Sequence, residues 1–105
     1  MAEPDLLLLD EPAAGLDVGG RERFLSRLAR LAADPMSPPI VLVTHHVEEI
    51  PEKFTHVLLL REGEVVRAGP IAESLTAETL SACFGLPLSL SSWEGRWSCR
   101  ALPAG

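Results

Sequence analysis

The 105-residue sequence predicts an α/β fold with parallel strands. Three observations carry that expectation. Leu6 to Leu9 and Ile40 to Val43 are short runs that are apolar at every position, the pattern of strands covered on both faces. Between them, Arg21 to Ala33 is spaced as a helix. The resulting order of strand, helix, strand, short helix, strand is that of a parallel sheet with crossover connections.

Each element has a local reason. Pro12 ends any ladder just after Glu11, and Gly15 and the Gly19-Gly20 pair mark a loop. In the helix, Phe24, Leu28, Leu31 and Ala32 share one face. Arg23, Arg27 and Arg30 lie mostly away from it as a solvated face. Asp34 to Pro39, DPMSPP, cannot continue a helix. Ile40 to Val43 then leads into Thr44-His45-His46. Val47 to Phe54 reads as a brief helix broken at Pro51. His56 to Leu60 and Glu64 to Ala68 flank a Glu62-Gly63 turn, so Val57 to Ala68 is a hairpin. Thr76 is placed to N-cap a helix ending before Gly85. Leu86, Leu88 and Leu90 alternate with polar residues, as do Trp97, Cys99 and Ala101 after Glu94-Gly95, which gives a C-terminal hairpin.

Composition narrows the function classes. The length suits one small domain rather than two. At 47% hydrophobic, the chain is neither disordered nor fibrous. Its apolar runs are too short to span a bilayer. The start, MAEPDLLLLDEP, lacks the basic n-region of a signal peptide, so a cytoplasmic location is expected. Nine Lys+Arg against fifteen Asp+Glu give a net charge of -6, which weighs against nucleic acid as the main partner. Cys83 and Cys99 form no CxxC pair and read as free thiols.

In parallel α/β sheets ligands sit beyond the carboxyl ends of the strands. Two strands here end in groups capable of chemistry, Asp10-Glu11 and Thr44-His45. An Asp held rigidly at a strand end can hold a magnesium ion that neutralises nucleotide phosphates. An adjacent Glu can accept a proton from an attacking water. Taken alone, Asp10-Glu11 is equally read as a strand terminus opening a loop. His45, His46 and His56 do not have a metal-ligand spacing.

The longer segments decide between these readings. LLLLDEP followed by AAGLD resembles the Walker B, catalytic Glu and D-loop of ABC-type ATPases. VLVTHH resembles their switch-histidine segment, and HVLLLREGEVVRAG the hairpin after it. The three occur in the family's order and spacing from Pro4 to about Gly69. The resemblance implies a partial P-loop NTPase (RecA-like) sheet with flanking helices, lacking the P-loop strand, plus the C-terminal β-hairpin. It divides the chain into residues 1–69, the C-terminal part of a nucleotide-binding domain, and residues 70–105, a C-terminal extension of short helices and a hairpin. It implies that Asp10 helps hold Mg2+ through a water, that Glu11 polarises the attacking water, that Asp17 lies at a dimer interface and links the two sites, and that His45 contacts the γ-phosphate of ATP and the water. His46 stands where the family commonly has Asp and is assigned no catalytic role. Implied partners are a second ATPase subunit and a transmembrane permease, with the subunit peripheral at the cytoplasmic membrane face.

The phosphate-holding parts of the family's site are not in this sequence. A P-loop needs GxxxxGK(S/T), with backbone amides and a lysine on the phosphates. The chain's one lysine, Lys53, lies in IPEKF; there is no glutamine for a Q-loop, and the one Gly-Gly pair follows Asp17 rather than sitting in an LSGGQ-like signature. Met1 therefore reads as an internal start or a truncation. The expectation is the C-terminal part of an ABC transporter ATPase that does not hold ATP unaided. A soluble, non-transport ABC ATPase and a non-catalytic interaction module are the alternatives. In the family that the chain resembles, the P-loop strand lies between the strands matching Ile40–Thr44 and His56–Leu60, so the resemblance implies unpaired edges on both. They are expected either to close up and pair directly or to leave the chain prone to aggregation.

Overall fold

The computed structural model describes residues 6–103. The reading of Met1 as an internal start and the beginning of the family resemblance at Pro4 lie outside the described residues. Instead of the one core expected from chain length, the chain forms two compact units, divided between Phe54 and Thr55.

The first unit follows the predicted order. Strand β1 (Leu7–Asp10) pairs in parallel with β2 (Ile40–Val43), placing Leu7 opposite Ile40 and Asp10 opposite Val43. The crossover between them is helix α1 (Val18–Ala33). This helix begins three residues earlier than its periodicity suggests, because the Asp17 side chain accepts the Gly20 N–H and caps it. The Gly19-Gly20 pair, expected in a loop, is thereby helical. The buried side chains of α1 are Leu25 and Leu28. Leu31, assigned to the core face from sequence, is exposed. Leu25 takes that place because it stands three residues before Leu28, on the same stripe.

The two strands differ from expectation in one respect. Both alternate between half-buried and exposed positions, leaving Leu8, Val41 and Val43 exposed. Their unbroken apolar character predicts cover on both faces, whereas a lone two-stranded pair leaves one face open. A single 3₁₀ turn (Val47–Glu49) replaces the brief helix expected over Val47 to Phe54.

The second unit is built from hairpins and short helices. β3 (His56–Arg61) and β4 (Glu64–Pro70) pair antiparallel. Their turn residues Glu62 and Gly63 both have positive φ, which matches the right-handed twist of the strands. The register passes from Leu59↔Arg67 to Leu60↔Val65, so Val66 is an extra, bulged residue. Helix α2 (Ile71–Ser74), which the sequence reading did not resolve, follows directly. Helix α3 (Ala77–Phe84) starts at Thr76 with a capping box and ends at Gly85 in the left-handed conformation, as expected. β5 (Leu88–Trp93) and β6 (Arg96–Ala101) form the C-terminal hairpin around Glu94-Gly95. Leu59, Ile71, Leu75 and Leu80 are this unit's buried apolar side chains. The Cys83 thiol donates to the Leu60 carbonyl and the Arg61 guanidinium to the Ala82 carbonyl, tying α3 to β3.

β2 and β3 belong to separate ladders, so the direct pairing expected as one outcome of the missing central strand does not occur. Among the described residues, no helix is long and apolar enough to cross a membrane.

Candidate functional site

The parallel register sets the site. Because Asp10 stands opposite Val43, the residues after each strand emerge side by side. The Glu11 N–H donates to the Val43 carbonyl at 2.8 Å, carrying the ladder one step past the strand. Glu11 itself has φ +49, the left-handed region that side-chain-bearing residues rarely adopt. Such strain is found where surrounding structure enforces it, commonly at functional sites. Here the enforcing contacts are that bond and the turn behind it, closed by the Ala14 N–H on the Glu11 carbonyl at 3.1 Å.

This backbone brings together two of the residues singled out from sequence. The Glu11 carboxylate Oε2 is hydrogen-bonded to His45 Nδ1, across 34 residues of sequence. The Glu11 side chain is partly covered, while that of His45 is 78% exposed. The pair therefore faces solvent with the imidazole outermost. One ring nitrogen is committed to the carboxylate and Nε2 is left for a further contact.

Asp10 is exposed at the end of β1, and its carboxylate has no protein partner among the described residues. Asp17 is exposed and lies at the start of α1, where Oδ1 accepts the Gly20 N–H at 2.7 Å. Among the described residues no hydrogen bond joins it to the Glu11–His45 pair; its local role is the helix cap. His46 is exposed, and its backbone N–H donates to the Thr44 hydroxyl at 3.1 Å. His56 lies in the second unit, with Nδ1 2.8 Å from the Thr55 hydroxyl.

Sequence reasoning passed over Glu49. Its Oε1 accepts the Thr44 hydroxyl at 2.6 Å, and at 8% exposure it is the one ionisable side chain buried among the described residues. In the sequence it is one of two adjacent glutamates beginning a short helical stretch, indistinguishable from a solvated charge.

A metal fit can be judged from the donor set. Among the described residues no three His, Cys, Asp or Glu side chains converge as a ligand cluster. That arrangement does not suit zinc or another ion held by the protein alone. Magnesium differs in keeping its waters and taking one or two carboxylates together with substrate phosphates. Asp10 is an exposed carboxylate at the strand end.

No protein-family model matches the chain. It is 48% identical over 88 residues to the uncharacterised ABC transporter ATP-binding protein YlmA of Bacillus subtilis, covering 84% of this chain and 33% of that protein. It is 46% identical over 70 residues to the molybdenum import ATP-binding protein ModC of Aromatoleum aromaticum, covering 67% and 18% respectively. Over 67 residues it is 43% identical to the energy-coupling factor transporter ATP-binding protein EcfA2 of Enterococcus faecalis, covering 64% and 23%. A solved inward-facing structure, described as a metal-chelate type ABC transporter, superposes with a TM-score of 0.71 at 28% identity, over 95% of this chain and 40% of that one. The curated relatives are matched in their C-terminal part, and the chain spans about a third of the length of those it matches along most of its own.

Proposed function

The chain belongs to the ABC transporter ATP-binding family, whose C-terminal part it matches, and from that membership we propose that it supplies the water-activating half of an ATP-hydrolysing site that drives transport. The observation that carries this reading is the Glu11–His45 pair, set at the carboxyl ends of two parallel strands.

The division of labour follows from each side chain's surroundings. Glu11 is the general base: its carboxylate lies at the strand end in a strained backbone and accepts the proton of the attacking water. His45 orients that carboxylate through Nδ1, and its Nε2 is the nitrogen that meets the γ-phosphate and the water, the phosphate contact being one in which both ring nitrogens donate. Asp10 would hold magnesium through a water, and when bound the ion neutralises phosphate charge. Asp17 lies at the interface with a second ATPase subunit, where its exposed position between the exposed apolar Leu16 and Val18 favours burial by a partner.

The residues present do not fit a phosphate cradle. Lys53, the one lysine, lies outside any Gly-rich loop, and the chain has no GxxxxGK(S/T). The half-site therefore acts when a phosphate-holding segment completes it. In that completed state the subunit is peripheral at the cytoplasmic face of the membrane and works with a transmembrane permease.

Grafting tests this directly. Replacing the matching C-terminal stretch of the Bacillus subtilis relative with this chain is expected to give magnesium-dependent ATP hydrolysis. A folded graft that binds ATP but hydrolyses none would contradict the proposal.

A further inference from the structure

We propose that Glu49, acting through the Thr44 hydroxyl, is a positioning residue for His45. Three hydrogen bonds close a ring around the segment that carries the histidine. The Thr44 hydroxyl donates to Glu49 Oε1 at 2.6 Å, the His46 N–H donates to Thr44 Oγ1 at 3.1 Å, and the Glu49 N–H donates to the His46 carbonyl at 3.0 Å. His45 is enclosed by this ring in sequence and takes no part in it.

The imidazole of His45 is too exposed for packing to fix its direction. Its direction rests on the bond to Glu11 and on the backbone that carries it to that bond. On the strand side that backbone is anchored by the β1–β2 ladder and by the Glu11 N–H on the Val43 carbonyl. On the other side the Thr44–Glu49 bond anchors it, at the short distance characteristic of a hydroxyl on a carboxylate. The two anchors together place the ring against the Glu11 carboxylate.

The burial of Glu49 supports a positioning role over a stabilising one. A carboxyl group taken out of water costs free energy that a single hydrogen bond offsets only in part, and an apolar side chain of similar volume fills such a site at no such cost. Stability alone gives no reason to place a glutamate there. Fixing the end of β2 does.

What His45 is positioned for rests on the proposed ATPase function; that it is positioned does not. The test reads the imidazole itself, through long-range proton–nitrogen spectra of the histidine rings of the 105-residue chain at one fixed pH. Glu11→Ala supplies the reference in which the His45–Glu11 contact is absent. In Thr44→Val, of nearly the same shape, and in Glu49→Leu, the His45 ring nitrogens are expected to move to the Glu11→Ala positions. Thr44→Ser, which restores the hydroxyl, is expected to keep the native ones. His56, bonded to Thr55 in the second unit, stays unmoved throughout and reports general damage. Native His45 resonances in a folded Thr44→Val or Glu49→Leu chain would overturn the proposal. In the grafted ATPase, Thr44→Val is expected to lower kcat by about tenfold or more with KM held. If Glu11→Gln leaves turnover there unchanged, the ATPase reading fails while the ring spectra still decide the positioning role.

Discussion

Asp17 is expected to cap α1 and also to meet a partner subunit, and one pair of substitutions separates the two roles. Its Oδ1 accepts the Gly20 N–H at 2.7 Å, and α1 has no acidic residue in its first turn. That turn also carries Gly19 and Gly20, each costing about 1 kcal/mol relative to alanine. The helix start is therefore weak without its cap. Asp17→Ala removes the cap, worth about 1 kcal/mol, and a favourable charge at the positive end of the helix, worth about 0.3–1 kcal/mol at a surface. Asp17→Asn keeps an equivalent acceptor and loses only the second contribution. Thermal unfolding followed by far-UV circular dichroism converts these into shifts of about 4–8 °C per kcal/mol for a chain of this size. Asp17→Ala should therefore melt well below the native chain, and Asp17→Asn between the two. Gly19→Ala should raise the midpoint, because an added Cβ meets its nearest atom, Asp17 Oδ1, at an ordinary 3.7 Å. Gly20→Ala gains less, since there the same atom lies at 3.2 Å and the cap must shift. An Asp17→Ala chain that melts like the native one, or an Asp17→Asn chain damaged as much as Asp17→Ala, would refute the capping argument. In the grafted ATPase, Asp17→Asn lowers turnover by more than its small loss of stability accounts for if Asp17 works at an interface.

Three further outcomes follow from the geometry. Leu80 is fully buried, and Leu80→Ala should destabilise the second unit by about 2–5 kcal/mol, measured by denaturant unfolding. Gly69 has φ +149, and a Cβ there would lie 2.8 Å from the Ser74 hydroxyl oxygen; Gly69→Ala should cost more than about 1 kcal/mol, whereas Ser74→Ala, which removes a buried hydroxyl without a partner, should be neutral or stabilising in the same assay. Calorimetry of the 105-residue chain with magnesium and ATP should show no binding tighter than about 1 mM; micromolar binding would mean that the chain cradles phosphates without a P-loop.

Much of this fold was legible because the decisive signals are local. Ile40 to Val43 was bounded by the prolines before it and Thr44 after it, and the strand has those limits. Thr76 and Gly85 announced both ends of α3, since a hydroxyl cap and a left-handed glycine each satisfy backbone groups within one turn. The Glu62-Gly63 and Glu94-Gly95 turns fixed both hairpins for the same reason. The start of α1 was misplaced because Gly19-Gly20 reads as a loop by propensity; the Asp17 cap, set two residues before Gly19, overrides it. Leu25 was missed because Phe24 and Leu31 define an equally regular stripe, and only tertiary packing chooses between neighbouring stripes. In the site, the approach of Glu11 to His45 could be anticipated from two strands ending in polar residues, since parallel pairing puts their carboxyl ends together. The buried Thr44–Glu49 bond could not, because it depends on a 3₁₀ turn folding back onto the strand end.

The central claim is that Glu11 activates the water, and one comparison in the grafted ATPase tests it most directly. Glu11→Gln keeps the side chain's shape but removes its capacity to take a proton. ATP affinity, measured by equilibrium binding, is expected to stay within about twofold of the unsubstituted graft, while turnover falls by about a hundredfold or more. Unchanged turnover in a Glu11→Gln graft that still binds ATP would contradict the account.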